Sequence, residues 1–311
     1  LRQKQKATMT DYKVKHKSRK RIKSARWLIF WVVAAQLAAE VAMQAAVSFM
    51  SNPPHEYIQI GIVELFALGV PILLYGKSVW SREDGDAKKE LRLRGGKLRY
   101  FVLAAVLGIS GQLVMMLLNI PANILIQKVM NREVTDAIPV ALSGRELFMG
   151  AAAVVLLPAA LEEFWMRGLV FSAYNKCSTT AAVIFTTLVF ALIHMRPSEL
   201  LGFVLMGLTA AYVLLKTNSL YAAMTYHAFS NLTALVFGFV LSELLPYIWF
   251  ILGAGAIIYI AALVVLYATG ERVHRVKAFT AAETVCRSIF SLPILLSIAA
   301  VAVKYLLIKS V

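Results

Sequence analysis

Two cysteines, Cys177 and Cys286, are all that the 311 residues contain. They are too few for a disulfide framework, say nothing firm about the redox compartment, and read as inert thiols. Charge is scarce too: 16% of residues are charged against 59% hydrophobic, and mean hydropathy is +0.70. Because the apolar residues fall in long uninterrupted blocks, a soluble multi-domain protein is excluded. There are no convincing internal repeats and no low-complexity tract. Acids are the rarer sign, 17 against 32 bases, for a formal net charge of +15. Such a balance suggests nucleic acid, but the bases sit in tails and short loops between apolar blocks, so nucleic-acid binding is set aside. The chain has neither Gly-x-Ser-x-Gly nor a His-Glu-x-x-His helix, and no serine-triad signature stands out. No cleavable signal peptide is expected, since the first apolar block is too long and lacks a small-residue cleavage pattern after it.

What is present is a succession of apolar blocks, at about 27–50, 57–76, 99–127, 147–172, 179–195, 199–215, 219–241, 246–268 and 289–308, each long enough to approach or cross a bilayer of roughly 30 Å. The expected fold is all-α, a polytopic helical membrane protein with eight to nine transmembrane helices. Residues 1–26 form a flexible basic cytoplasmic tail suited to anionic lipid headgroups, and 27–311 a single transmembrane helical domain. Asn119-Ile-Pro121 is expected to kink or end the third helix. Residues 81–97, the only sizeable polar connector, read as a solvated loop. Lys and Arg divide twenty-five to six between alternate connections, with Arg167 inside the fourth block. That split puts the N-terminus in the cytoplasm, and with nine spans the C-terminus on the far side. The bacterial plasma membrane is the expected location, membrane lipids the surroundings, and the oligomeric state is not read from the sequence.

The fourth block is interrupted by charge. Pro158-Ala-Ala-Leu-Glu-Glu-Phe-Trp-Met-Arg167-Gly168 sets two glutamates and an arginine inside a span, where one ionised side chain costs roughly 2.5–3.5 kcal/mol on insertion scales. Glu163 and Arg167 are four apart, about 40° around a helix axis, and can pair. Glu162 lies about 100° from Glu163 and faces elsewhere. The other polar residues in the blocks are Glu40, Glu64, His194, His227 and Asn231. His227 and Asn231 are again four apart, on one helix face. Glu162 precedes the turn near Cys177 by about fifteen residues and His194 follows it by about seventeen, so in an antiparallel hairpin both sit roughly 22–26 Å from that turn. Glu40 and Glu64 read as helix–helix hydrogen-bond partners, and Phe164 and Trp165 as packing residues. Phe190 reads equally as packing or as a wall of the site.

Glutamate and histidine are what peptide hydrolysis needs when water is the nucleophile. A desolvated carboxylate can take the water's proton near neutral pH, and a positioned general base contributes roughly 10²–10⁴-fold. A second histidine and an amide could stabilise the oxyanion. Glu162, His194 and His227 would also make a sensible three-ligand zinc site with one open position. Metal-free chemistry with no cofactor is the expectation, with zinc the alternative.

At these residues the chain resembles a known family. Glu162-Glu163-x-x-x-Arg167, Phe190-x-x-x-His194 and His227-x-x-x-Asn231, in this order, are similar to the three motifs of the CAAX-protease and bacteriocin-processing family, which includes the type II CAAX prenyl endopeptidases. Gly207-Leu208 and Lys216-Thr217-Asn218-Ser219-Leu220 also resemble the approach to its third motif. The likeness covers about residues 147–235, the catalytic core it implies. It implies an intramembrane endopeptidase in which Glu162 and His194 activate water, Glu163 pairs with Arg167, and His227 with Asn231 forms the oxyanion site. Two departures concern packing: Met166 stands where the family often has an aromatic residue, and Pro158 lies one residue further from the motif than usual. The implied partner is a hydrophobic or lipid-anchored peptide substrate. Two other classes compete. One is a non-catalytic bacteriocin self-immunity or membrane scaffold protein. The other is a transporter with an ion relay, for which the chain lacks inverted repeats or paired broken helices.

Overall fold

Every apolar block folds as helix, and the polar residues between blocks supply the stops and starts. The computed structural model of the chain describes residues 2–79, 87–130 and 143–309. In order, α1 is Arg2–Ser48, α2 Glu56–Val79, α3 Leu98–Met130, α4 Gly144–Asn175 and α5 Thr179–Ile193. Then come α6, Leu200–Thr217, α7, Leu220–Phe239, α8, Ile248–Thr269, α9, Ala281–Ile289, and α10, Leu292–Lys309. Ser178, Ser219 and Thr280 cap α5, α7 and α9, each hydroxyl accepting a first-turn backbone N–H. The α6–α7 turn needs only two residues: Asn218 closes α6 in the left-handed conformation (φ 51°) and Ser219 opens α7.

The expected count of eight to nine spans is not reached. Among the described residues six helices are long and apolar enough to cross a membrane, seven if the bent α9–α10 pair counts as one. Helix α5 is short, 15 residues or about 22 Å against a core of roughly 30 Å. In α7 the run of apolar residues is diluted by His227, Ser230 and Asn231. Both pack inside the bundle, where neighbouring helices rather than lipid cover their polar groups.

Three other expectations change. The helix α1 begins at Arg2, so residues 2–26 of the basic segment are helical, and the first candidate span starts at Ser18. Helix α3 continues through Pro121, and Asn119 instead accepts the N–H of Gly202 at 2.9 Å, fixing the start of α6. Of the polar connector, 81–86 lies outside the described residues. The remainder is docked: Ser172 bonds the Glu90 carbonyl, Ser219 the Arg94 carbonyl, and the Leu220 N–H the Arg92 carbonyl.

These contacts gather one end of the bundle. Arg21 pairs with Glu90, Ser178 bridges to Lys277, and Arg94 joins Asn218 to Glu271. All these segments belong to the Lys/Arg-rich set of connections. Burial alone would raise the Glu90 carboxyl, but the Arg21 guanidinium, joined by Lys176, outweighs it and holds Glu90 below the ordinary carboxylate range. The opposite end is marked by His55, 3.3 Å from Glu146. Between the ends, α3 and α7 touch backbone to backbone. A Cβ on Gly108 would run into the Tyr226 carbonyl and lie 2.8 Å from the Phe229 Cβ, so only glycine lets α7 sit at this depth.

Candidate active site

Proline shapes the helix that carries the charges. Helix α4 winds as π-helix over Ala151–Leu156, as α-helix over Leu157–Glu163, and as π-helix again over Phe164–Val170. Such wide turns rotate the next stretch of helix about its axis and concentrate at functional sites. In an α-helix the Val154 carbonyl would accept from the N–H of residue 158, and Pro158 has none. The Asn231 side-chain amide donates to that carbonyl at 3.0 Å instead. Proline in α4 and asparagine in α7 are thus two halves of one interaction, which the sequence patterns did not connect.

Glu163 and Arg167 form the expected pair, with Oε1 3.0 Å from Nη1 and both side chains fully buried. The same oxygen accepts from His227 Nδ1 at 2.9 Å. Arg167 also donates to the Gly207 carbonyl at 3.2 Å and lies over the Phe190 ring, 4.4 Å from its centre. Gly207 also lets α6 pack closely on α5, where a Cβ would lie 3.1 Å from the Thr187 backbone. A carboxylate, a guanidinium and an imidazole from α4 and α7 are therefore locked together beneath the site, compensating charge that lipid could not.

Glu162 faces away from that cluster, toward His194. Its Oε2 lies 3.6 Å from His194 Nε2, with 12% and 18% of the two side chains exposed. An antiparallel hairpin of α4 and α5 thus brings the two side chains close together. His194 ends α5, where last-turn carbonyls lack helical partners. Its Nδ1 meets one of them, the Phe190 oxygen, at 2.7 Å. A carbonyl only accepts, so Nδ1 carries the proton, and in neutral His194 the Nε2 lone pair faces Glu162. The helix stops here because Met195 turns left-handed (φ 51°), a conformation that costs a non-glycine residue about 1–3 kcal/mol. Burial of the Met195 side chain holds it in place. Phe203 of α6 stacks on the His194 ring at 3.9 Å and Phe190 tilts against it at 4.5 Å. Phe190 also meets the His227 ring edge-on at 5.9 Å, so it is both core and a wall between the two histidines.

Two of the partners were not foreseen in the sequence. His227 Nδ1 and one Asn231 amide hydrogen are already engaged, with Glu163 and Val154 respectively. Glu162, His194 and His227 do not converge as ligands either. Among the described residues no group of three or more His, Cys, Asp or Glu side chains is placed to hold a metal ion. Sequence reasoning missed Phe203, which carries no signal in the pattern, and the part taken by Glu64. That residue lies near Glu162 of α4 and interacts with it electrostatically. Glu40 is remote from the site and pairs with Lys304 at 2.7 Å. Trp165 is fully buried packing, as read.

An all-helical, multi-pass bundle with a glutamate–histidine pair in its interior defines an integral membrane protein whose site lies among apolar helices. Residues 144–233 match the family model described as type II CAAX prenyl endopeptidase Rce1-like. The matched stretch runs from α4 into α7, includes all seven motif residues, and supports membership of the CAAX protease family, a family of proteases. No curated protein and no solved structure matches the chain.

Proposed function

We propose that this protein is an intramembrane endopeptidase that hydrolyses a peptide bond in a hydrophobic or lipid-anchored peptide, using water activated by Glu162 and His194. One observation carries the reading. With Nδ1 committed to Phe190, His194 offers a lone pair to the space that Glu162 Oε2 also faces, 3.6 Å away. Two acceptors at that separation do not bond each other. They suit a molecule with two O–H groups, which is water.

In the reaction, Glu162 takes a proton from that water while His194 Nε2 accepts its second O–H, and the oxygen attacks the peptide carbonyl carbon. The tetrahedral oxyanion faces α7. His227 gives its Nδ1 hydrogen to Glu163, so its Nε2 donates to the oxyanion only when both ring nitrogens carry hydrogen. Asn231 has one amide hydrogen beyond that held by Val154. Glu162 then returns its proton to the leaving nitrogen as the carbon–nitrogen bond breaks. The donor set supplies base, orienter and oxyanion donors from its own side chains, so the proposal is metal-free, and activity should survive chelation and gain nothing from zinc add-back.

The twenty-five to six division of Lys and Arg favours placing the basic end in the cytoplasm, and a bacterial plasma membrane is the location proposed. The membrane depth of the site favours substrate reaching it sideways between helices. The test is cleavage of a farnesylated CAAX peptide by purified wild type, Glu162→Ala and His194→Ala in the same bilayer. Loss of roughly 10²–10⁴-fold in each folded variant is expected. Retained cleavage in either would overturn the assignment, and a scaffold or immunity role would then lead.

A further inference from the structure

One hydrogen bond ties the His194 ring to its own helix. Nδ1 meets the Phe190 carbonyl at 2.7 Å, which sets that edge of the imidazole but leaves its plane free to swing about the contact. The plane is set from α6. The Phe203 ring stacks on the imidazole with centroids 3.9 Å apart and an angle of 28° between the planes, while Phe190 leans on it at 4.5 Å and 52°. Phe203 is itself buried, so the imidazole is confined by a packed ring.

Phe203 can do this only where the first turn of α6 is held in place. First-turn N–H groups have no acceptor within their own helix. Glu199, at the N-cap of α6, makes no capping hydrogen bond, and its carboxylate lies 3.4 Å from Arg196 instead. The acceptor comes from another helix: Asn119 Oδ1 of α3 takes the Gly202 N–H at 2.9 Å, doing from α3 what an N-cap side chain ordinarily does. Glycine allows that approach, because a Cβ on Gly202 would lie 2.8 Å from Asn119 Nδ2. Gly202 and Phe203 are consecutive, so the hydrogen bond holds the chain one residue from the ring that faces His194.

We propose that Asn119 and Phe203 are positioning residues for His194: Asn119 sets the first turn of α6, and through it Phe203 holds the imidazole plane with Nε2 directed at the space shared with Glu162. Neither meets the reacting atoms or carries a proton. A lone pair is directional, so a tilted ring presents Nε2 off the line to the water. A misplacement of roughly 1 Å can cost about 10²-fold in rate. Orientation of the water matters to the chemical step and not to holding the peptide, so the signature is a fall in kcat without a rise in KM. Both roles rest on His194 orienting the water, as proposed above.

Wild type, Asn119→Ala, Phe203→Leu, Phe203→Tyr, the Asn119→Ala/Phe203→Leu double variant and His194→Ala are compared in one bilayer. The readouts are kcat and KM for a farnesylated CAAX peptide in folded protein. Leucine stays apolar but removes the ring face, so Phe203→Leu should lose roughly 10–100-fold in kcat with KM within about threefold of wild type. Phe203→Tyr keeps the ring and should hold kcat within about threefold. Asn119→Ala should lose roughly 3–30-fold in kcat alone, but less than about twofold further where Phe203 is already leucine, since its effect passes through that ring. Wild-type kcat in Phe203→Leu, a loss carried by KM, or losses that multiply in the double variant would each overturn the proposal. If Asn119→Ala does not fold, Gly202→Ala, which displaces the same contact from the α6 side, takes its place in the cycle. Activity surviving in His194→Ala would instead defeat the underlying reading of the water site.

Discussion

The link between Pro158 and Asn231 separates a structural duty from a catalytic one, and it can be measured. Truncation in Asn231→Ala leaves the Val154 carbonyl without the amide that now reaches it at 3.0 Å. An unsatisfied buried acceptor costs about 1–3 kcal/mol. In a Pro158→Ala background the backbone regains an N–H at residue 158, in register for that same carbonyl, so the cost of Asn231→Ala should fall by about 1 kcal/mol. The assay is a double-mutant cycle on reversible unfolding in mixed micelles, with cleavage of the farnesylated peptide measured alongside. Activity should obey a different rule. If the second Asn231 hydrogen reaches the oxyanion, its loss lowers kcat by roughly 10²–10³-fold, and alanine at 158 should not restore it. Stability costs that simply add, or activity that returns with stability, would refute the reasoning.

Glu163→Gln should destabilise the protein by about 3–5 kcal/mol, because it strands a fully buried Arg167; unfolding of Arg167→Met and of the double variant would show how much is relieved. Glu90, held below the ordinary carboxylate range, contributes stability that is fully present above that range and lost as pH falls through its depressed value. Glu90→Gln should therefore cost about 1–3 kcal/mol at neutral pH, and its stability should converge with wild type in acid. Burial pushes the Cys177 thiol up, whereas Cys286 is exposed. A membrane-impermeant maleimide should label Cys286 from the cytoplasmic face and leave Cys177 unmodified until the protein unfolds. Labelling of Cys286 only from outside would reverse the topology.

Helix positions were legible in the sequence because apolar blocks and their polar punctuation reflect bilayer thickness and capping chemistry. The span count was not, because it depends on which helices meet lipid. Helix α5 is too short and α7 too polar to be a free span, and only their neighbours make them tenable. At the site, i,i+4 spacing was enough to foresee the Glu163–Arg167 pair, and equal distance from a turn was enough to bring Glu162 near His194. Spacing could not reveal Glu64 beside Glu162 or Phe203 on His194, since each comes from a helix whose register against α4 or α5 is fixed by packing alone. Nor could it reveal that Asn231 answers Pro158. A missing backbone donor is visible in sequence, but the carbonyl it frees finds its partner only in three dimensions.

The account stands on Glu162 and His194 acting upon one water. The most direct test is the cycle of Glu162→Gln, His194→Ala and the double variant, read as kcat for the farnesylated peptide in folded protein. Residues serving one molecule lose their effect together, so the double variant should be no slower than about threefold below the worse single variant. Losses that multiply would mean the two side chains act independently, contrary to the shared water proposed here.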